Sequence, residues 1–197
     1  MLPNAIIDLI QLKFERQLPE GFLHELQENA LYTTLKKGEQ LFSNQGRKNK
    51  TYVILTGSLV RFIVTPEGEE RATMFHTESF FPMIANNSIN GESSDLAYYF
   101  KANEDAGLME FSQDFALQCI EKHPILARIT FQNMIHYFQT HHLIQNHLIA
   151  LSSIDFFRWF LRNNGAVFHR FQSQDIASFM GITPAWFSKL KRKINQK

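Results

Sequence analysis

Residues 173–193 read SQDIASFMGITPAWFSKLKRK. Gly181 stands where a chain turning sharply between two helices needs a left-handed residue, and Thr183 followed by Pro184 is an N-cap with proline at the first helical position. Upstream, Ser173 is placed to cap the first helix, with Asp175 near its positive end. Ala177 is small where the second helix must cross closely, and Ile176, Met180, Ile182, Phe187 and Leu190 fall where such a pair buries its own small core. An ordinary helical hairpin is the plain alternative. Agreement of the small residue, the glycine, the cap and the apolar positions in one register favours a helix-turn-helix.

With Phe187 and Leu190 turned inward, the second helix presents Ala185, Trp186, Lys189, Arg192 and Lys193, with Ser173, Thr183 and Ser188 beside them. Charge follows the same division. From Arg158 to Lys197 there are eight Lys/Arg and one acid, Asp175, a net +7, whereas the rest holds twelve basic and eighteen acidic residues, a net −6. A basic terminal module on an acidic body points to a polyanion, double-stranded DNA in the first place, or to a merely solvated face. Lys189 suits a guanine edge or a phosphate, and Arg192 and Lys193 suit phosphates. Ala185 and Trp186 carry little hydrogen-bond code, so readout is expected to lean on apolar contact, groove shape and dimer spacing. Trp186 packed on protein is the alternative.

Outward from that stretch, the 197 residues are 44% hydrophobic, enough for real cores, and the single cysteine, Cys119, excludes an internal disulfide framework. The N-terminal stretch mixes Asp8, Lys13, Glu15 and Arg16 into its apolar positions, so a soluble, cytoplasmic protein without a membrane segment is expected. Residues 1–30 carry helical spacing. From Leu31, β-type runs (40–43, 51–64, 71–77 and 96–102) alternate with Gly38, Gly46, Gly57 and the 65–70 turn, as in an antiparallel barrel or sandwich. Pro124 opens a long helical pattern that runs to about Ser152. Along it Met134, Tyr137, His141, Ile144, Leu148 and Leu151 form a heptad-like seam for a twin helix, or for burial within a monomer. A second stripe, Phe131, Ile135, Phe138 and Ile149, is expected to pack on the chain's own β-domain.

These segments together resemble the Crp/Fnr family, the bacterial transcription factors related to the cyclic-AMP receptor protein. KKGEQLFSNQG (36–46) is similar to the family's opening strand and turn, TYVILTGSLVRFIVTPEGEERATMF (51–75) to its next strands, and IDFFRWFLRNN (154–164) with QDIASFMGITPAWFSKLKRKI (174–194) to its DNA-binding end. The resemblance implies an α+β chain in three parts. Residues 1–122 would form an effector-sensing, jelly-roll-like β-domain with N-terminal helices, 123–151 a dimerisation helix, and 152–197 a helix-turn-helix domain that ends before the family's terminal wing. It also implies a homodimer on a two-fold operator, with RNA polymerase as a further partner.

The effector stretch departs from the family's cyclic-nucleotide binders. Phe81 holds, Pro82 and Met83 replace the Gly-Glu pair, and Leu96 falls near the phosphate arginine, so cyclic AMP is not the expected signal. The 86–95 insertion blurs that alignment, and Lys101 or Arg61 is a possible source of charge from elsewhere. Phe81, Met83, Leu96, Ala97, Tyr98 and Tyr99 then form either a pocket for an apolar effector or ordinary core. His136, His141, His142 and His147 share the long helix without an i, i+4 pair, so no metal site and no cofactor is expected. His141 on the seam would face its twin, and a neutral, hydrogen-bonded histidine is expected there. Cys119 in FALQCI reads as a structural thiol. A Walker loop, a Gly-x-Ser-x-Gly elbow and a His/Glu cluster in the β-region are all lacking, which argues against an enzyme. The competing functional class is a signal-sensing or protein-interaction module of the same fold that no longer reads DNA specifically.

Overall fold

The computed structural model describes residues 2–13, 18–43, 49–86 and 96–195. Gly46, most of the 86–95 insertion and Lys197, singled out above, lie outside the described residues. Among the described residues, helices α1 (Asn4–Lys13) and α2 (Glu20–Asn29) precede eight strands, β1 (Leu31–Leu35), β2 (Gln40–Ser43), β3 (Lys50–Thr56), β4 (Ser58–Val64), β5 (Glu70–Thr77), β6 (Met83–Asn86), β7 (Tyr98–Ala102) and β8 (Ala106–Ser112). Five helices follow: α3 (Gln113–Lys122), α4 (Pro124–Ala150), α5 (Ser153–Arg170), α6 (Ser173–Phe179) and α7 (Pro184–Asn195). Strands β1, β6 and β8 stand outside the runs singled out in the sequence, because their apolar alternation is short or interrupted by threonine and glycine.

The strands form two antiparallel four-stranded sheets, ordered β1-β8-β3-β6 and β2-β7-β4-β5. Alternation of side chains along each strand sorts the apolar residues into three layers. Between the sheets lie Leu35, Tyr52, Ile54, Leu59, Ile84, Phe100 and Leu108. Val53, Leu55 and Met109 on the outer face of the first sheet meet Ile10, Leu26 and Cys119 from α1, α2 and α3. Gly57, between β3 and β4, takes φ 88°, and a Cβ there would stand 2.5 Å from the Asp105 carbonyl oxygen. No other residue fits this turn without moving β8's entry.

The outer face of the second sheet carries the third layer, which joins Val60, Phe62, Phe75 and Tyr99 to Ile144 of α4 and to Phe156, Phe160, Phe171, Phe179, Phe187 and Leu190 of the terminal helices. One continuous apolar core therefore runs from β4 and β5 to α7. Polar contacts reinforce it. The Ala72 N–H donates to Ser178 Oγ at 3.0 Å, the Asn103 amide donates to the Arg170 carbonyl at 3.1 Å, and Arg170 pairs with Glu78 at 2.8 Å and Glu104 at 2.6 Å. Within α5, Asn164 leaves helical geometry at φ −135°; beyond this kink Phe168 packs on Phe157 and Phe187, and Phe171 reaches Phe75 of the sheet.

Helix α4 corrects the expected division of its faces. Ile144 is 2% exposed and belongs to the chain's own core, with Leu148 packed beside it, so neither stands on an outward seam. Met134, Tyr137 and Leu151 are exposed and His141 half-buried. Phe131, Ile135, Phe138 and Ile149, expected against the β-domain, are exposed instead. The reason is helix α5: its Phe156 and Trp159 cover the Ile144 side of α4, with the Trp159 ring stacked 3.9 Å from the His147 ring, and so the opposite stripe faces outward.

Candidate functional site

Two groups of residues carry chemistry: the α6–α7 pair and the interior between the sheets. In the first, Gly181 adopts φ 66° and its N–H donates to the Ser178 carbonyl, while the Ile182 N–H reaches the Ala177 carbonyl at 3.0 Å. Ala177 is fully buried at the crossing, and Thr183 Oγ1 accepts from the Trp186 N–H at 3.2 Å, closing the N-terminus of α7. Ser173 does not cap α6. It is the first helical residue, Gln172 occupies the cap position without a side-chain bond, and Ser173 Oγ accepts instead from Lys191 Nζ at 3.3 Å. The physical reason is length: Phe171 is anchored in the core and leaves only Gln172 between it and the helix.

Phe187 and Leu190 are buried in the same core, Phe187 packing on Phe157 and Phe168, which turns the opposite side of α7 to solvent. On that side Ala185, Ser188, Lys189, Arg192 and Lys193 are exposed, and Trp186 is 42% exposed. Ser188 Oγ donates to the Pro184 carbonyl at 3.0 Å. None of Lys189, Arg192 and Lys193 forms an ion pair among the described residues. The result is a cationic helix face with an indole at its leading end.

The proposed effector residues do not form one lining. Tyr98 faces the space between the sheets, whereas Tyr99, its neighbour on β7, is buried on the opposite side, stacked on Phe62 at 5.3 Å in the terminal-helix core. Successive strand residues cannot line the same pocket. Met83 on the edge strand β6 and Leu96 are exposed, and Ala97 is half-buried. Phe81 is buried against Phe80 and Tyr137, at φ 49°, a left-handed conformation that costs a non-glycine residue about 1–3 kcal/mol.

Three groups that the sequence did not single out as a set converge near Phe81. Arg61 points between the sheets, its guanidinium 4.7 Å from the Tyr98 ring centroid and donating to Thr73 Oγ1 at 3.2 Å; it has no carboxylate partner among the described residues. Burial holds its pKa below the usual arginine value. His76, 4% exposed, donates from Nδ1 to the Phe81 carbonyl at 2.8 Å, which leaves Nε2 a buried acceptor without a hydrogen-bond partner among the described residues. Burial pushes its pKa down to about 4, so it is neutral at physiological pH. Tyr137 of α4 closes the third side and stacks on His141, whose pKa is lowered by burial, then by His142 and Arg61. Of the two cations considered earlier, only Arg61 faces this interior. Lys101, one residue after Phe100, points to the other face of β7.

Cys119 is buried, and its thiol is pushed up to about 11 by burial and by Glu25, whose carboxylate lies 3.9 Å away, so it stays a protonated packing residue. Among the described residues no three His, Cys, Asp or Glu side chains converge where they could hold a metal ion, and no helix is long and apolar enough to cross a membrane.

Comparison with known proteins is informative only at the level of structure. No family model matches the sequence, and no curated protein matches it. Solved structures do. A mutant of CooA from Carboxydothermus hydrogenoformans superposes with a TM-score of 0.71 at 13% identity, over 95% of this chain and 84% of that one. A putative transcriptional regulator of the Crp/Fnr family from Eubacterium rectale gives 0.67 at 15% identity, over 92% and 85%. The c-di-GMP responsive global regulator CLP of Xanthomonas campestris gives 0.65 at 11% identity, over 90% and 92%. From its sheets to its terminal helices, the chain has the fold of the Crp/Fnr regulators.

Proposed function

We propose that the chain is a homodimeric, non-enzymatic transcription regulator that binds double-stranded DNA through α7. The observation that carries this reading is the outward face of α7, where Lys189, Arg192 and Lys193 are exposed and, among the described residues, without an ion pair next to Trp186, on a helix whose inner face is locked into the core. Regulators with the same fold support it. In this reading Lys189 reaches base edges, Ala185 and Trp186 contact thymine methyl groups, and Arg192, Lys193, Ser173, Thr183 and Ser188 hold phosphates. Residues 152–197 serve as the DNA-binding unit, and RNA polymerase is the downstream partner. Two units must meet half-sites about 34 Å apart, which requires a partner chain. The exposed Phe131, Ile135, Phe138 and Ile149 stripe of α4, extended by Met134 and Tyr137, is the surface for it.

The signal, in the same reading, is a small molecule received between the sheets, where Arg61, Tyr98 and His76 offer one cation and one bare acceptor beside the strained Phe81. Cyclic AMP is not the expected ligand, because Pro82 and Met83 stand where a ribose-binding carboxylate would be needed. The test is selection of DNA from a random library by the purified protein at physiological salt. Enrichment of a two-fold symmetric site, weakened about tenfold or more by Lys189→Ala, is the expected result. Weak, sequence-independent binding with a steep salt dependence would overturn it in favour of a sensing or interaction module that no longer reads DNA.

A further inference from the structure

A cleft of about 440 Å³ opens on the outer face of the second sheet, between β4 and β7 on one side and the start of α6 on the other. Its size lies within the range of small-molecule sites, about 300–1,000 Å³. Val60, Phe62 and Ala102 give it an apolar floor, and Asn103, Gln172 and Gln174 supply amides around the rim. Three charged residues line it: Lys37, Lys101 and Asp175. Neighbouring charges are matched to partners, Lys36 to Asp105 at 2.8 Å and Arg170 to Glu78 and Glu104. These three are not. Among the described residues neither ammonium forms an ion pair, and the Asp175 carboxylate accepts no hydrogen bond although it is half-buried. Burial raises its pKa, and Lys101 only partly offsets that.

Two lysines without an ion pair and one carboxylate without a hydrogen bond, among the described residues, line one cleft with an apolar floor, and Lys101 is close enough to act on Asp175; such a lining selects a ligand with both signs of charge. A simple anion would meet Asp175, and a simple cation would meet the lysines. We propose that this cleft binds a small zwitterion of the α-amino-acid type, its carboxylate between Lys37 and Lys101, its ammonium on Asp175 and its side chain over Val60 and Phe62. Such a ligand touches the sheet and α6 at once and therefore tightens their docking. Neither the site nor its occupant depends on whether α7 binds DNA.

The test uses the full chain and each common α-amino acid in turn as the probe, followed by thermal unfolding and by amide hydrogen exchange. Expected is a saturable rise in Tm with at least one of them, about 5–10 °C at a hundredfold excess over Kd, with slowed exchange in both β7 and α6. Asp175→Asn and Lys101→Met should each abolish the shift while leaving the unliganded Tm nearly unchanged, and acetate or methylamine alone should not reproduce it. No saturable shift with any amino acid, or a shift that survives both substitutions, overturns the proposal.

Discussion

Replacing Phe75 by alanine tests whether the terminal helices and the second sheet are one folding unit. Phe75 sits on β5 at 1% exposure, its ring 4.6 Å from Phe171 and 5.2 Å from Phe179, so one side chain bridges the sheet, the end of α5 and helix α6. Truncating a buried phenylalanine costs about 3–5 kcal/mol, the transfer of the lost ring carbons plus the cavity they leave. The surroundings here are rings held by their own neighbours, with Phe156 and Phe160 behind Phe179, which hinders collapse and places the cost near the middle of that range, about 4 kcal/mol. For a domain of this size, about 2–4 °C per kcal/mol gives a Tm lowered by roughly 8–16 °C. Scanning calorimetry at fixed protein concentration, with tryptophan fluorescence for the terminal helices and near-ultraviolet dichroism for the whole chain, would follow it. One transition that shifts as a whole is expected, because both sides of the junction lose the same contact. Two separable transitions, with Phe75→Ala moving only the one assigned to the sheet, would refute the continuous core.

Stability should also fall with acid through His76. Its folded pKa of about 4 lies below the unfolded value near 6.5, so the unfolded chain binds the proton first and stability rises with pH between these limits. By pH 4 the loss amounts to about 3 kcal/mol, and a denaturant titration of His76→Phe should show a flatter dependence over that window. An unchanged slope in the variant would assign the acid sensitivity elsewhere. On α4, Phe138→Asp is expected to halve the mass measured by light scattering while leaving the far-ultraviolet dichroism of the folded chain unchanged, since Phe138 is 60% exposed. Ile144→Asp should instead prevent folding, because that residue is core.

Much of the terminal motif was readable from the chain because its constraints are local. Gly181 is demanded by a left-handed turn, Thr183 by an unsatisfied N–H and Pro184 by a fixed φ, and each acts within a few residues of itself. Ser173 was misread for a reason that is not local: the position of α6 is set by Phe171, held in a core built by β5. Helix α4 shows the same limit. Its periodicity announced two apolar stripes, yet which one faces the chain's own core depended on where α5 folds back, bringing Phe156 and Trp159 onto the Ile144 and His147 side of α4. The pairing of Arg61 with Tyr98 and His76 was likewise out of reach, since these residues come from three strands brought together only by sheet register.

By itself, then, the amino-acid order determined the long helices and the more regular strands, the turn glycines and the basic character of the last helix, all properties of short range. Only the tertiary structure decided which faces are shared. It joined the second sheet to the end of α5 and to α6 through Phe75, directed Tyr98 and Tyr99 to opposite layers, exposed the Phe131–Ile149 stripe and gathered Lys37, Lys101 and Asp175 around one cleft. The physical reason is that burial and charge pairing are set by distance in space, and residues as far apart as Lys37 and Asp175 become neighbours only after the chain has closed.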